Sequence, residues 1–347
     1  MRARIVGRSC IGAQESFGTG GLTDPAPRAE EFALRAREPA YAPLLPGLTL
    51  RRLARSVKMG LATAQAALRE AGVARPDAIC TGTGLGCLEE SQRFLLAMSQ
   101  NDEQFLTPTA FAQSTQNTVG SQISLFLACH GYNTTYAHRA FSFESALMDA
   151  LMLLDERQAQ TVLCCGVDEF TEKYAGHRRT AGHLRPYVSR EDFLEARSPG
   201  APMGEGACCF VLTSVGQGGL ILRGLELLYR PQALEERVLD FLARSGVSLE
   251  QVGLLLLGLS GDSRFDGRLR ALASRHPQVP QGIYKHLCGE FHTAAAFGLW
   301  AGCGMLEAGG VPEAYRSNRA PERPLRHVLM VSGAADTEYS LVLLSRE

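Results

Sequence analysis

The segment built most like an active site is a turn at the start of a predicted helix. A polar, aromatic segment beginning at Asn133 enters the turn Arg139–Phe141 and continues into an apolar helix and a strand over residues 161–166. Many α/β enzymes present a nucleophile in such a turn, because the start of a helix stabilises negative charge. The apex here carries no thiol, hydroxyl or carboxylate, so the attacking group is absent where the turn would present it. This absence is the main indication of function.

Two phenylalanines, Phe141 and Phe143, straddle Ser142 just after the apex. Bulky rings at a pocket mouth could stop or steer a growing chain by packing alone, and equally they could fill core space. Ser142 could be a displaced nucleophile with Glu290 or His292 as its partner. A serine two positions along a helix points elsewhere, however, so we expect Ser142 to pack within the helix turn.

A second polar cluster lies about 150 residues further along the chain. Four of its side chains alternate at period two: His286, Cys288, Glu290 and His292. If extended, they would share one face and resemble a Cys/His catalytic or metal cluster. Gly289 and the small residues beyond it favour a turn into a helix instead, so we predict no metal site. Lys285 and Glu290 could form a buried ion pair that holds the site rigid.

Alternating strands and helices must position these residues. In the first half we predict a strand over 3–6, a polar connection over 28–46, a helix over 51–71 ending at Gly72, and further elements over 78–83, 89–100, 114–129 and 203–212. In the second half we predict elements over 220–228, 234–245, 253–259, 268–276, 294–307, 328–332 and 340–344. The shared element order indicates duplication, with halves 1–215 and 216–347. The glycine turn at residues 82–86 is too short for a dinucleotide fingerprint, so no cofactor is predicted.

Composition narrows the class of protein. The chain has 347 residues, 45% of them hydrophobic, with a net charge of −1 and only short arginine patches, which argues against a nucleic-acid partner. Its ten cysteines include two adjacent pairs, at 164–165 and 208–209, that we expect to be reduced core residues. No apolar run approaches membrane-spanning length, and the start of the sequence does not resemble a signal peptide, so we expect a cytoplasmic location.

Several segments resemble the β-ketoacyl synthases of the thiolase superfamily. The resemblance rests on LTPTAFAQSTQNTVGSQISLFLACHGYNTTY, ALMDALMLLDERQAQTVLCCGVDEF and PMGEGACCFVL, and it extends from IVGRSCIG to VSGAADTEYSLVLL. It implies an α/β fold that is duplicated in five αβαβα layers and dimerises through the strand beside the nucleophile. It also implies a cysteine and two histidines that decarboxylate malonyl-carrier protein and join it to an acyl chain.

Carried over position by position, the resemblance implies that the reactive groups are replaced. The family's cysteine falls on Ala140, which cannot form a thioester. Its first histidine falls on Ser260 and its second on Glu290, whereas its lysine is retained as Lys285. The closing hairpin, usually led by phenylalanine, begins here with Ser332. Losing the nucleophile and both histidines together indicates a non-condensing relative.

Chain length factors of type II polyketide synthases are similar to such a chain, although they usually carry glutamine where this sequence has Ala140. The resemblance implies a non-catalytic subunit that forms a heterodimer with an active synthase and shapes the tunnel for the growing chain. The sequence around the turn resembles that of synthase-like proteins of aryl polyene and flexirubin-type pigment clusters.

Two alternatives remain open. The first is an acyltransferase, decarboxylase or condensing enzyme of the same fold, acting on acyl-carrier protein through Ser142, Cys288 or His292. The second is a homodimeric scaffold that recruits carrier proteins. A basic loop over residues 173–197 could be a plain solvated face, or it could dock the acidic helix of an acyl carrier protein through its arginines, Arg178, Arg179 and Arg185.

Overall fold

Strands and helices alternate along the chain much as the sequence predicts. The computed structural model describes residues 2–18, 22, 32–47 and 49–347, so residues 28–31 of the predicted connection lie outside the described residues. The strands are β1 (Ala3–Ile11), β2 (Ala33–Leu34), β3 (Ala78–Gly82), β4 (Tyr132–Tyr136), β5 (Thr161–Asp168), β6 (Met203–Gly204), β7 (Gly206–Thr213), β8 (Leu220–Tyr229), β9 (Leu254–Gly258), β10 (Gln281–Ile283), β11 (His327–Ala334) and β12 (Glu338–Arg346). The helices are α1 (Tyr41–Leu44), α2 (Arg55–Ala71), α3 (Leu88–Gln100), α4 (Pro108–Gln113), α5 (Thr118–Leu127), α6 (Ser142–Asp155), α7 (Glu172–Thr180), α8 (Arg190–Glu195), α9 (Leu234–Arg244), α10 (Gly267–Arg275), α11 (Lys285–Cys288) and α12 (Ala294–Ala308).

The order of strands repeats between the two halves of the chain. Among the described residues, the main sheet runs β10-β9-β11-β12-β8-β1-β7-β5-β3-β4. In the first half β4–β3 and β3–β5 pair in parallel, whereas β5–β7 and β7–β1 pair antiparallel. The second half repeats this pattern with β10–β9 and β9–β11 parallel and β11–β12 and β12–β8 antiparallel. The predicted duplication is therefore confirmed.

The two halves join where β1 pairs with β8 through Ala3, Arg4 and Ile5. Because β1 also pairs with β7, one strand belongs to the hydrogen-bond ladders of both halves. The predicted boundary at residues 215 and 216 falls in the connection between β7 and β8. As a division into two separate domains it stays a prediction.

Apolar clusters define five layers. One cluster fills the space between the two halves of the sheet and contains the apolar residues of α6 and α12. A second packs α2 and α5 on the outer face of the first half, and a third packs α9 and α10 on the outer face of the second half. The layers are thus helix, sheet, helix, sheet, helix, with α6 and α12 in the middle.

The sequences of the helices fit these positions. Thirteen of the fifteen residues of α12 are buried, because small and apolar side chains cover its whole circumference. The helix α2 is also largely buried, with only Arg69 and Glu70 exposed, and it ends at Gly72, whose φ of 65° closes the helix in the left-handed conformation that glycine adopts most readily. The helix α6, which begins at the turn, therefore packs against the buried helix α12.

Two predictions about the chain are wrong in part. The predicted loop over residues 173–197 contains two helices, α7 and α8, each started by a side-chain cap from Thr171 or Ser189. The structure also joins Cys165 of β5 to Cys209 of β7 as a disulfide, so the expectation that all the cysteines are reduced fails for this pair. The eight other cysteines are free and buried.

Within the described residues, none of the helices is both long enough and apolar enough to cross a bilayer.

Candidate functional site

The turn between β4 and α6 has the geometry expected at the apex of a strand-to-helix site. A short 3₁₀ segment, Arg139–Phe141, links the two elements, and Arg139 has a φ of 57°, which is uncommon outside glycine. The Oγ of Ser142 accepts a hydrogen bond from the backbone N–H of His138 at 2.9 Å. Ser142 is fully buried and therefore closes the turn from inside.

A cavity of about 420 Å³ opens beside this turn. Its wall takes Arg139 and Ala140 from the turn, Ser260 from the loop after β9, and Glu290 and His292 from the loop before α12. Thus residues from both halves of the chain converge on one space. The cavity has the size of a ligand site for a small molecule.

A smaller cavity of about 40 Å³ is also lined by Ala140. Ala140, Glu290 and His292 line both cavities, so the two spaces adjoin. The smaller one reaches Glu144 on α6 and Lys285 on α11. The structure therefore brings together the four positions where the resemblance expects a catalytic set: Ala140, Ser260, Lys285 and Glu290.

Ser260 is held as a structural hydroxyl. Its Oγ donates to Asp266 at 2.8 Å, and the backbone N–H groups of Ser260 and Gly261 donate to the same carboxylate. Burial raises the pKa of Asp266, while these hydrogen bonds act in the opposite direction. Since its proton is engaged by a carboxylate and the described residues give it no imidazole partner, Ser260 is not poised as a nucleophile.

Lys285 and Glu290 form the predicted ion pair. The ammonium Nζ lies 2.7 Å from a carboxylate oxygen of Glu290 and 3.1 Å from the carbonyl oxygen of Gly333. The Lys285 side chain is buried and that of Glu290 is partly buried. Gly289, with a φ of 79°, reverses the chain between them, as the sequence indicated. The ion pair with Lys285 thus fixes the side chain of Glu290, the residue at the position where the resemblance implies a histidine.

The three residues predicted to line a chain tunnel separate in the structure. Phe141 is half-buried and lines the smaller cavity, as a gating residue would. Phe143 is fully buried against Phe210, with ring centroids 5.8 Å apart, and lines neither cavity. Phe143 and Ser142 therefore belong to the core and the turn, because the start of α6 directs positions 142 and 143 inward. A gating role stays a prediction for Phe141 alone.

The three arginines predicted to dock a carrier protein lie in different environments in the structure. Arg178 lines the larger cavity, and Arg179 is exposed with its guanidinium 5.6 Å from the ring centroid of Phe32. Arg185 is buried; it forms an ion pair with Asp192 and donates to the carbonyl oxygens of residues 200 and 261. A docking role for Arg185 is therefore wrong, because its donors are engaged inside the protein. For Arg178 and Arg179 it stays a prediction.

His286 and Cys288 lie outside both cavities. His286 is buried with its Nε2 2.8 Å from the carbonyl oxygen of Ala314, and burial lowers its pKa to about 4. Burial raises the pKa of the Cys288 thiol, so it is not activated as a thiolate. Within the described residues, no group of three His, Cys, Asp or Glu side chains could hold a metal ion.

Asp168 is a site residue to which sequence reasoning gave no role. One carboxylate oxygen accepts from the N–H of Gly84 at 2.8 Å, and the other accepts from the N–H and hydroxyl of Thr293, both at 2.9 Å. Asp168 therefore ties the glycine turn of the first half to the loop of the second half that carries His292. Its place directly at the end of a buried strand was the available signal.

The glycine turn serves packing at this point. A Cβ atom added to Gly84 would lie 2.2 Å from the imidazole of His292, so only glycine lets the ring sit there. The predicted strand-to-helix turn is confirmed, with Gly86 at a φ of 67° before α3 begins. The turn thus positions His292 between the two cavities.

Residues 26–186 match the family model of the β-ketoacyl synthase N-terminal domain. The predicted resemblance to β-ketoacyl synthases is confirmed. Among curated proteins, none matches this synthase-like chain significantly.

Solved structures share the architecture over the whole chain. The ishigamide ketosynthase/chain length factor is 17% identical with a TM-score of 0.84, and the match covers 100% of this chain and 99% of that one. A chain from the complex of the ketosynthase ApeO with its chain length factor ApeC from Xenorhabdus doucetiae is 14% identical, with a TM-score of 0.78 and coverage of 99% and 98%. A chain from the AntDE:AntF structure, a type II polyketide synthase acyl-carrier protein in complex with its ketosynthase bound to the hexaketide, is 12% identical, with a TM-score of 0.79 and coverage of 100% and 99%.

At these identities the likeness concerns the fold. The predicted duplicated, thiolase-like αβαβα fold is confirmed by it together with the repeated strand order. The synthase-like chain thus shares the scaffold of these structures, while Ala140 stands where the resemblance places the nucleophile.

Proposed function

We propose that this chain is a non-catalytic, chain-length-factor-like subunit that pairs with a cysteine-bearing ketosynthase and shapes the tunnel for its growing acyl or polyene chain. The observation that carries the proposal is Ala140, which lines both cavities at the apex of an otherwise intact turn. A methyl group cannot form an acyl thioester, so the turn has a shape-defining role.

The first support for a partner is the edge of the sheet. β4 ends the strand order, so one side of this strand has no neighbour among the described residues. An exposed edge strand is a ready template for a strand of another chain. A ketosynthase-like partner would extend the sheet from β4, directly beside Ala140.

The second support is a set of exposed apolar side chains on α5, which packs against β4, and on the segment that precedes α5 in the chain. Phe105 is 92% exposed and Leu125 is 72% exposed, and the set also includes Leu95 and Phe111. Phe105 follows Asp102 and Glu103, and all three adopt positive φ angles. Large apolar side chains as exposed as these favour burial in an interface over contact with water.

Carrier-protein binding is the less specific part of the proposal. Arg178 and Arg179, with the exposed Lys173, place positive charge on α7, and Arg178 lines the larger cavity. Such a helix would attract the acidic surface of an acyl carrier protein by charge complementarity. We also propose a cytoplasmic location, in keeping with the expected fatty-acid-like substrates.

The enzymatic alternative has less support. None of the cysteines lines either cavity, the hydroxyl of Ser142 is directed into the turn, and Ser260 is engaged by Asp266. His292 is the remaining candidate for chemistry, and by itself it offers a base without a nucleophile.

Intact-protein mass spectrometry tests the proposal. The purified chain, alone and with its candidate synthase partner, is incubated with acyl- and malonyl-carrier proteins. We expect the two chains to co-purify and only the partner to gain an acyl mass. Acylation of this chain alone would overturn the non-catalytic assignment, and peptide mapping would then identify the nucleophile.

A matched variant sharpens this test. In Ala140→Cys the apex regains a thiol in the same turn, so acylation of this variant but not of the wild type would attribute inactivity to residue 140. Acylation of the two proteins at an equal rate would show that the adduct lies elsewhere.

A further inference from the structure

Two free cysteines face each other across the strands β1 and β7. Cys10 of β1 is the register partner of Cys208 of β7, and both side chains are buried in the apolar cluster between the two halves of the sheet. Their Sγ atoms lie 3.0 Å apart, and the thiol of Cys208 donates a hydrogen bond to Cys10. Neither residue lines either of the two cavities, so the proposed function gives this pair no role.

The backbone places the pair where a disulfide fits. Cys209, the next residue of β7, is bonded to Cys165 of β5 with their Cα atoms 4.2 Å apart, a separation typical of a non-hydrogen-bonded antiparallel pair. The backbone N–H and C=O of Cys209 therefore point away from β5 and toward Ser9 of β1. By alternation, Cys10 and Cys208 form the next non-hydrogen-bonded pair, in which the side chains lie closest together.

A bond between the two sulfur atoms requires only a small movement. The S–S length of a disulfide is about 2.05 Å, so the Sγ atoms of Cys10 and Cys208 would approach each other by about 1 Å. Non-hydrogen-bonded antiparallel pairs have a Cα separation of about 4.5 Å, which lies within the range that disulfides accept. The strands therefore need not change their register.

Neighbouring thiols do not compete for this pair. The thiol of Cys288 donates to the backbone carbonyl oxygen of the following residue at 3.3 Å. Cys80 and Cys164 are also register partners, but they lie on the parallel strands β3 and β5, and the thiol of Cys80 donates to a carboxylate on α6 at 3.5 Å. Among the described residues, Cys10 and Cys208 are thus the free thiols that contact each other.

Burial limits which oxidant can act on the pair. Burial and the contact with Cys10 raise the pKa of the Cys208 thiol well above its usual range, so reaction in the closed fold is slow. An oxidant must therefore enter when the fold opens locally, and a molecule close to water in size needs the smallest opening. Such an opening is least costly in β1, because among the described residues this strand pairs with β7 alone beyond Ile5.

We propose that Cys10 and Cys208 are a redox modification site, at which hydrogen peroxide converts the two thiols to a disulfide that links β1 to β7. The sulfur of one thiol attacks a peroxide oxygen, the O–O bond breaks, and the hydroxide that leaves takes the thiol proton to form water. The second sulfur then attacks the sulfenic acid, the S–O bond breaks, and a second water leaves. Two thiols and one peroxide thus give one disulfide and two waters.

The second disulfide locks the first strand of the chain. Its cysteines are 198 residues apart in sequence, against 44 for Cys165 and Cys209, and stabilisation by a cross-link grows with the length of the loop that it closes. Because β1 pairs in both halves of the fold, we expect the oxidised chain to resist unfolding. The site needs no synthase partner and goes beyond the proposed subunit role.

Differential alkylation of the full chain tests the site. The folded protein, isolated in a reducing buffer and moved to an oxygen-free one, is treated with hydrogen peroxide and then with catalase. It is next unfolded in iodoacetamide, reduced, labelled with N-ethylmaleimide and digested with trypsin. The tryptic peptide that contains Cys10 holds no other cysteine, so its label is unambiguous.

We expect N-ethylmaleimide on Cys10 after peroxide and iodoacetamide on Cys10 without it. Without the reduction step, the Cys10 peptide should be linked to the peptide that contains Cys208, and fragment ions distinguish Cys208 from Cys209. Iodoacetamide on Cys10 in both samples would overturn the proposal, as would linkage of Cys10 to any other cysteine.

Two variants separate the pair from general oxidation. In Cys208→Ser the sulfenic acid of Cys10 has no second thiol, so dimedone, a 1,3-diketone that reacts with sulfenic acids, should trap it. Equal dimedone adducts in this variant and the wild type would contradict the pairing. Cys164→Ser, which changes a buried thiol of the parallel pair, should form the disulfide as the wild type does. The labelling of the wild-type chain decides the proposal even if Cys208→Ser does not fold.

Unfolding kinetics in guanidinium chloride test the lock. Peroxide treatment should slow unfolding of the wild type about tenfold or more, because the cross-link closes a long loop. The same treatment should leave the unfolding rate of Cys10→Ser unchanged. An equal change in both proteins would place the effect at another oxidised residue and overturn the lock.

Discussion

The two outer strands of the sheet, β4 and β10, occupy equivalent places in the duplicated fold but have different surroundings. The outer side of β10 is covered by the chain itself: Gly282 bridges to Arg316, and the backbone N–H of Ser317 donates to Gln281. The outer side of β4 has no such cover among the described residues. Since the same architecture can close its own edge, the open edge at β4 is a feature of the first half and points to assembly with another chain.

The turns that follow these strands differ in the same way. After β10, the turn is buried and held by the Lys285–Glu290 ion pair. After β4, the turn is partly exposed, and the hydrogen bond from the His138 N–H to Ser142 supports it. One half thus uses its turn for internal stability, and the other leaves its turn accessible beside the surface where a partner would bind.

The largest expected effect comes from blocking the open edge. Tyr136 accepts a ladder hydrogen bond from Thr83, so by the alternation of a parallel pair Thr135 directs its N–H outward. Thr135→Pro removes that N–H and should reduce co-purification with a synthase partner at least tenfold, about 1.4 kcal/mol. Thr135→Val keeps the N–H and is the matched control. Equal co-purification of both variants would argue against pairing through β4.

The next effect concerns the ion pair of the closed half. Lys285→Met leaves the partly buried carboxylate of Glu290 without its cation, so we expect unfolding free energy to fall by about 2–3 kcal/mol. Chemical denaturation followed by circular dichroism measures it. The double variant Lys285→Met with Glu290→Gln should recover most of the loss. If it is no more stable than the single variant, packing of the lysine stem explains the effect.

A smaller effect is expected where the halves meet. Gly84→Ala places a methyl group against the His292 ring, and displacement of the ring should cost about 1–3 kcal/mol. The control Gly176→Ala lies in α7, where a Cβ meets no atom within 4 Å, and it should be neutral or slightly stabilising. Addition of His292→Ala should rescue Gly84→Ala in the same denaturation assay; a failure to rescue would place the strain in the backbone.

The smallest effect concerns the turn of the open half. Ser142→Ala removes the acceptor for the N–H of His138, and we expect a loss of about 1 kcal/mol in unfolding free energy. Ser145→Ala, which loses only an exposed contact to the His138 ring, should change stability by less than about 0.5 kcal/mol. A loss for Ser142→Ala as large as that for Lys285→Met would contradict the contrast between the turns.

Much of the fold follows from regular sequence patterns. The helices α2 and α9 and the closing hairpin carry clear periodicities, α12 is a long apolar run, and the bounds of all of them agree with the prediction within a few residues. The strand β4 was missed because its sequence YNTTY has no apolar alternation, as a strand at an open edge does not need one. The sequence of an edge strand therefore carries little signal of its partner in the sheet.

The site was predictable in part. The pairing of Lys285 with Glu290 follows from their spacing, and the buried position of Phe143 could have been found, since it continues the stripe of Leu147, Ala150 and Leu154 along α6. The burial of Arg185 could not, because carbonyl groups distant in sequence satisfy its donors. Convergence of distant loops is a property of the tertiary fold, which local patterns do not encode.

The pairing of β1 with both β7 and β8 has a consequence for synthesis. The first strand finds its partners more than 190 residues later, at residues 207–213 and 220–222. At about 5–20 residues per second, a ribosome needs roughly 10–40 seconds to make them. Throughout that interval β1 is a strand without a ladder, so the nascent chain is exposed to aggregation until its middle emerges, and its folding is limited by this long-range pairing.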